Sequence, residues 1–287
     1  MRNVAADNAE YWDFICGSSA AKMLQIKNVS PNELLRFDEW YFNFYPYLKK
    51  FLARNVPKDS STLEIGLGYG TVSEWLGKRQ KLYLGSDIAN APVALVKHRL
   101  HGCDSATVMR CDARFLPFDS QTFEAIVSIG TLHHTGDFKQ SLSELVRITK
   151  PGGVIVGMVY SLLSGRNFLV QPIRTLRYAI TNLSSPSHIY GDEALRALSD
   201  QNDKGIAPPS AEYFSRRALR VALNKYGSTY ITATNLDELS IPKIGGILRK
   251  LMIRAGVAKI FGLDLYFVLR IANNSTLNAK GPLPTQQ

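Results

Sequence analysis

The chain has 287 residues, 45% of them hydrophobic, with 34 Lys plus Arg against 24 Asp plus Glu and a net charge of +10. That length and apolar content suffice to bury a core, and fit either one large α/β domain with a cap or two modest domains. The basic balance admits an anionic partner (RNA, an acidic substrate, a membrane surface) or simply a solvated surface; no long basic block or repeated arginine–aromatic motif appears, which counts against nucleic acid.

Three cysteines, Cys16, Cys103 and Cys111, include no CxxC pair. They indicate neither a disulfide framework nor a metal site, and a reducing, cytoplasmic setting is expected. The N-terminus has no apolar h-region, and the longest apolar run, 154–163, has ten residues, so neither a secretory signal nor a spanning helix is expected. Residues 1–57 are rich in aromatics, among them Trp12 and Tyr41. From Pro31, behind a Ser30 N-cap, Leu34, Leu35, Phe37, Trp40, Tyr41 and Phe44 recur at helical spacing, which predicts a helix across the core. These aromatics are either a substrate wall or ordinary packing.

Residues 62–76 organise the chain. Leu63 and Ile65 read as a buried strand, Gly66, Gly68 and Gly70 follow at alternate positions, and Val72, Trp75 and Leu76 begin a helical stripe. Glycines so spaced turn the backbone sharply and let a ligand lie against bare main chain. The pattern is E-x-G-x-G-x-G, with Glu64 at its head, and not the G-x-G-x-x-G of dinucleotide sites. Residues 81–87 read as a second strand ending in Asp87, 21 residues beyond Gly66. An acid there either accepts both hydroxyls of a ribose or caps the helix predicted over 91–101.

A third strand over 106–112 runs into Asp112-Ala113-Arg114-Phe115-Leu116-Pro117-Phe118, and a fourth over 123–129 into Gly130-Thr131-Leu132-His133-His134. The adjacent histidines are candidates for a general base or a substrate partner, or else shape the loop. A helix over 138–149 stops at Lys150-Pro151-Gly152-Gly153 and a fifth strand follows over 154–159. After a helix predicted over 170–180, a turn-rich stretch brings His188, Tyr190 and Asp192, which are substrate-contact candidates or plain loop residues. Ser215 caps a helix, and 227–234 and 265–271 are strands. Between them, 242–259 carries five basic and no acidic residues with Ile244, Ile247, Leu248, Leu251, Met252 and Ala255 on one face. Such a helix either lies on an anionic membrane or packs on its own sheet.

Three of these stretches carry a resemblance. Glu64, Gly66, Gly68 and Gly70 resemble motif I of the class I S-adenosylmethionine-dependent methyltransferases, in the subgroup of ubiquinone, menaquinone and natural-product methyltransferases. Asp112, Ala113, Leu116, Pro117 and Phe118 resemble its D-A-x-x-L-P-F signature, and Leu145, Arg147, Lys150, Pro151, Gly152 and Gly153 its L-x-R-x-x-K-P-G-G. The resemblance implies an α/β, Rossmann-like, seven-stranded, mostly parallel sheet with an antiparallel edge strand, helices on both faces and an N-terminal helical cap. It implies S-adenosyl-L-methionine as cofactor. Glu64 and the glycines would hold the methionine part, Asp87 the ribose, and Asp112 and Ala113 the adenine, with Gly130 beneath the methyl group.

The expected activity is methyl transfer to an O, N or C atom of a small-molecule acceptor (a metabolite, a quinone or lipid, or a natural product), with His133, ahead of His134, as the base or orienter. The Asn/Asp-Pro-Pro-aromatic sequence of amino methyltransferases is missing at 130–134, which counts against DNA adenine. Rival readings are an RNA methyltransferase, an NAD-dependent oxidoreductase and a non-catalytic methyltransferase-fold binding protein. The expected organisation is a cap over 1–57, a cofactor core over 58–160, a substrate-side insertion over 161–210, the rest of the core over 211–271 and a flexible tail over 272–287. A cytoplasmic protein is expected, with 242–259 as the candidate contact to an anionic membrane.

Overall fold

The computed structural model describes residues 4–15, 24, 29–202, 205–237 and 245–273. Its strands in chain order are β1 (Ser61–Ile65), β2 (Leu82–Asp87), β3 (Ala106–Arg110), β4 (Phe123–Ile129), β5 (Thr149–Tyr160), β6 (Ile189–Tyr190), β7 (Glu212–Tyr213), β8 (Gly227–Thr234) and β9 (Asp264–Ile271). Seven form one sheet in the order β3-β2-β1-β4-β5-β9-β8, and β6 pairs with β7 in a separate ribbon. β9 runs antiparallel to both β5 and β8, so the reversed strand lies one place in from the edge. Strand order switches direction between β1 and β4, which opens a crevice at the carboxyl ends of these strands.

The helices are α1 (Val4–Ile15), α2 (Pro31–Phe44), α3 (Leu48–Asn55), α4 (Thr71–Gly77), α5 (Asn90–Arg99), α6 (Phe138–Ile148), α7 (Gly165–Val170), α8 (Pro172–Ser184), α9 (Glu193–Ser199), α10 (Arg216–Asn224), α11 (Gly245–Arg254) and α12 (Ala258–Phe261). Side-chain caps start several of them: Ser30 Oγ accepts from Glu33 N at 3.4 Å, Asp137 Oδ1 from Gln140 N at 2.9 Å and Ser215 Oγ from Ala218 N at 3.0 Å. Leu145 and Ile148 of α6 and Leu219 and Leu223 of α10 bury one sheet face with Leu63, Ile126 and Phe267. Leu48 and Leu52 of α3, Leu76 of α4 and Val96 of α5 bury the other with Val127, Val156 and Tyr266. The central strands β1, β4, β5 and β9 are therefore covered on both faces, as their near-continuous apolar runs require, while the outer strands β3 and β8 are partly exposed.

Two sequence expectations change. The helix predicted over 170–180 is α8, which starts two residues later because Pro172, having no N–H to continue the preceding α7, opens it at its first turn. The helix predicted over 242–259 is divided: 242–244 lie outside the described residues, and Gly256, at φ +83°, separates α11 from α12. The basic side of α11 faces inward at one position. Arg249 is buried and donates through Nε to Leu236 O at 2.6 Å, and through Nη2 to Phe44 O at 2.7 Å and to Asn235 Oδ1. Ile247 and Leu251, on the face expected to pack or dock, are exposed. Arg249→Met should cost about 2–4 kcal/mol, since it leaves the buried Leu236 carbonyl and the half-buried Phe44 carbonyl without this donor; a urea midpoint unchanged from wild type would remove Arg249 from the account.

No helix among the described residues is long and apolar enough to cross a membrane. Of the tail expected over 272–287, residues 274–287 lie outside the described residues.

Candidate active site

At the end of β1 the chain turns through three left-handed glycines, Gly66 (φ +82°), Gly68 (φ +50°) and Gly70 (φ +79°), before entering α4. Gly66 N donates to Ser86 O at 2.8 Å and Gly70 N to Leu67 O at 2.9 Å. The glycines do different work. A Cβ on Gly66 would sit 1.8 Å from Thr131 Oγ1, so this turn packs against the loop after β4. A Cβ on Gly68 would meet nothing within 4 Å, because Gly68 borders a cavity of about 360 Å³ at the switch point of the sheet.

Three carboxyl groups reach this cavity from three successive strand ends. Glu64, buried in β1, accepts from Tyr83 Oη at 2.5 Å. Burial pushes its pKa from an ordinary 4.5 up to about 8; the Tyr83 hydrogen bond opposes that shift and the nearby Asp87 adds to it. Asp87, closing β2, accepts from Leu67 N at 2.8 Å and Ala89 N at 2.9 Å, yet burial keeps its pKa above the usual carboxylate value. Asp112, two residues past β3, is partly buried, but Arg114 outweighs this: its backbone N donates to Oδ1 at 2.9 Å and its Nη2 lies 2.6 Å from Oδ2, lowering the pKa. Ala113 and Gly130 also line the cavity. Buried carboxyls raised by desolvation are sites that gain from a cation or from hydroxyl donors. A cofactor bearing a sulfonium, an ammonium and a ribose diol supplies both, and the open side of Gly68 gives it room.

α1 and α2 form the cavity's other walls. α1 is tied down at both lips: Ala91 N donates to Asp13 Oδ1 at 2.7 Å, while Asn8 Nδ2 donates to His134 O at 2.8 Å and Tyr11 Oη to Ile206 O at 3.2 Å. α2 is fixed by Asp38, which accepts from Thr71 Oγ1 at 2.6 Å and from both Nη atoms of Arg99 at 3.0 Å. Trp12, Phe37, Trp40, Tyr41 and Tyr45 face the cavity, with Phe37 stacked on Tyr69 at 4.1 Å. Of the sequence-predicted substrate residues, Trp12 and Tyr41 are therefore brought to the site. His188 and Tyr190 are not in its wall. His188 Nε2 lies 2.9 Å from Glu212 Oε2, and Tyr190 is exposed on the β6–β7 ribbon. Asp192 is a helix cap, accepting from Leu195 N at 3.0 Å.

The two histidines separate. His133, in a 3-10 turn over Leu132–His134, is fully buried between the His134 ring (4.2 Å) and the Tyr160 ring (4.0 Å), and neither of its nitrogens has a hydrogen-bond partner. Burial, then the His134 neighbour, holds its pKa well below the ordinary value, and it does not line the cavity. The tight turn puts one ring behind the wall and the next ring in it.

His134 lines the cavity with Nδ1 2.8 Å from Ser210 O; a carbonyl only accepts, so Nδ1 carries a proton. Its Nε2 lies 3.4 Å from Asp200 Oδ2, and Asp200 also accepts from Tyr160 Oη. Burial alone would raise the Asp200 pKa, but His134, Tyr160 and Arg166 together lower it, which sets a carboxylate beside the buried second ring nitrogen of His134. Asp200 and Tyr160 were invisible in the sequence, since Asp200 follows His134 by 66 residues. Asp200 and Tyr45 also border a second, polar cavity of about 140 Å³ containing Arg166 and Asp264. Burial pushes the Asp264 pKa up to about 7, against the Asn235 hydrogen bond.

Comparison with known proteins places these features. Residues 63–157 match the family model described as "Methyltransferase domain". The chain is 30% identical over 141 residues to mouse "Probable tRNA methyltransferase 9B", covering 48% of this chain and 30% of that protein. It is 26% identical over 145 residues to demethylmenaquinone methyltransferase of Clavibacter sepedonicus (48% and 59% covered) and 35% identical over 95 residues to phthiotriol/phenolphthiotriol dimycocerosates methyltransferase of Mycobacterium tuberculosis (32% and 34%). It thus spans less than two thirds of each of these relatives. Among solved structures, the Haloferax volcanii methyltransferase in complex with the Trm112 activator aligns at a TM-score of 0.55 and 17% identity over 86% of this chain and 96% of that one. An S-adenosylmethionine-dependent methyltransferase from Listeria monocytogenes aligns at 0.54 and 13% over 80% and 97%. At these identities they show a common fold.

Proposed function

We propose that this chain, which carries a class I S-adenosylmethionine-dependent methyltransferase domain, transfers a methyl group to an O, N or C atom of a small-molecule acceptor held under α1 and α2. The observation that carries this reading is the shared cavity: the glycine turn and three strand-end carboxyls form one wall, and an aromatic wall with the His134–Asp200 pair faces it. S-Adenosylmethionine, when bound, supplies the electrophilic methyl group. The chain's residues supply alignment and exclusion of water. Glu64 would hold the cationic methionine part against Gly68, Asp87 the ribose hydroxyls, and Asp112 with the Ala113 amide the adenine edge. Trp12, Phe37, Trp40 and Tyr41 would clamp an apolar acceptor by its faces. His134 Nε2 would take the acceptor's proton, with the Asp200 carboxylate beside the resulting imidazolium.

A second reading, RNA methylation, has the +10 charge and the mouse relative behind it. The roof favours the first: a nucleotide within a polymer would have to displace α1, whose two lips are pinned by Asp13 and Asn8. Incubation with methyl-labelled S-adenosylmethionine and an extract of source cells tests both. Label in the small-molecule or organic-extractable fraction supports the proposal, and label confined to RNA or protein overturns the acceptor class. On the acceptor so found, His134→Gln should lower kcat about 100-fold with cofactor affinity kept, and unchanged turnover would remove it as the base.

A further inference from the structure

Helix α8 is amphipathic in the wrong sense for a buried helix. Thr175 and Asn182 are its buried residues, while Ile173, Leu176, Ile180 and Leu183, at spacings of three and four, point to solvent. Ile173 is 85% exposed, Leu183 70%, and Leu169, just ahead in α7, 83%. The polar side is inward for a reason: Asn182 Oδ1 accepts from Ser215 Oγ at 2.8 Å, and Thr175 Oγ1 donates to Asn167 O at 2.8 Å. α11 and α12 repeat the arrangement, since Arg249 anchors α11 from within and leaves Ile247, Leu251, Ile260 and Phe261 outside. The two groups of helices meet where Phe168 packs edge-on against Phe261, with ring centroids 6.4 Å apart.

Charge decides what this surface fits. Residues 161–191 contain Arg166, Arg174 and Arg177 and no acid, and 239–263 contain five basic residues and no acid; Arg166 is paired with Asp237, Arg174 with Asp192, and Arg249 is buried, so the charge offered to a partner comes from the exposed remainder. Arg177, Lys250, Arg254 and Lys259 are exposed. We infer that α7–α8 and α11–α12 together form a docking surface for an anionic lipid bilayer, with the exposed Leu and Ile side chains in the acyl boundary and the lysines and arginines at the headgroups. A second copy of this chain fits less well. Two-fold pairing would bring these acid-free segments face to face with like charge, and α8 offers only about 15 Å of apolar helix (1.5 Å per residue from Ile173 to Leu183). Arg166, Ser164 and Asn167, from the start of α7, line the polar cavity that shares Asp200 with the candidate active site, so a docked bilayer would lie beside that site.

Co-sedimentation of the full chain with phosphatidylcholine vesicles, with and without 30% phosphatidylglycerol, tests this. Binding to the anionic vesicles is expected to exceed binding to neutral ones at least ten-fold and to weaken with salt. The variant Ile173→Glu/Ile180→Glu, altered only at exposed positions, should lose that binding at least ten-fold while keeping wild-type thermal stability. Lys58→Gln/Lys78→Gln, which lowers net charge by the same two units at exposed positions just before β1 and at the end of α4, should keep it. Equal binding to both vesicle types, or equal loss in the two variants, would overturn the inference. So would a wild-type dimer in sedimentation velocity that Ile173→Glu/Ile180→Glu dissociates, since the stripe would then be a subunit interface.

Discussion

Gly68→Val is expected to lower affinity for S-adenosylmethionine about 1,000-fold, roughly 4 kcal/mol, while the protein still folds. No neighbour stands within 4 Å of a Cβ at this position, so the new side chain enters only the space that the cofactor's methionine part would occupy. The cost to the fold is confined to the backbone, where φ +50° is strained for a β-branched residue, by about 1–3 kcal/mol. Gly66→Ala should behave in the opposite way. Its methyl group would lie 1.8 Å from Thr131 Oγ1, so the loop after β4 must move, and stability should fall by about 2–5 kcal/mol before binding is measured. Calorimetric titration and thermal denaturation of the two variants separate these effects. Wild-type affinity in folded Gly68→Val would put the cofactor somewhere other than the turn.

The contrast between the two glycines shows what the sequence could and could not say. Their spacing announced a turn with bare main chain for a ligand, because three glycines at alternate positions between a strand and a helix suit left-handed backbone and close approach. Which glycine is steric and which faces the cavity depends on Thr131, 65 residues beyond Gly66, and no local pattern holds that. The same limit applies at the opposite wall. His133-His134 is conspicuous in the chain, but the choice between them is made by a 3-10 turn and by Asp200, a residue at the end of a seven-residue helix in a stretch without clear periodicity.

Parallel strands and their carboxyl ends were legible since buried β-runs alternate with capped, periodic helices. The outward-facing helices were not. Periodicity finds the apolar face of α11 but leaves open whether it packs on the sheet or meets a membrane, and here Asn182 accepts from Ser215 while Thr175 and Arg249 donate to carbonyls inside, which leaves the apolar faces of α8 and α11 in solvent. Gly256 was the available signal that the predicted 242–259 helix is divided.

Glu64 links the cofactor to pH. In the cofactor-free protein its pKa of about 8, against 4.5 for an exposed carboxyl, means that the folded state holds a proton between those values that the unfolded state has released. Stability from this group is therefore fully present below pH 4.5, falls as pH rises, and levels off above pH 8, a total on the order of 5 kcal/mol. Glu64→Gln keeps an oxygen for Tyr83 Oη and removes the ionisation. The difference between wild-type and variant unfolding free energies should slope across pH 5–8, even though Asp264, raised to about 7, acts in the same direction in both proteins.

Binding runs the linkage backwards. A sulfonium and an ammonium beside Glu64 favour its carboxylate, so S-adenosylmethionine should release close to one proton per site at pH 7 and bind more tightly as pH approaches 8. Glu64→Gln should release none and bind at least 100-fold more weakly at pH 8. Calorimetry in buffers of different ionisation enthalpy reads that proton directly. A wild-type protein that releases none at pH 7 would mean that Glu64 is already ionised before the cofactor arrives, or that the cofactor's positive charge lies elsewhere.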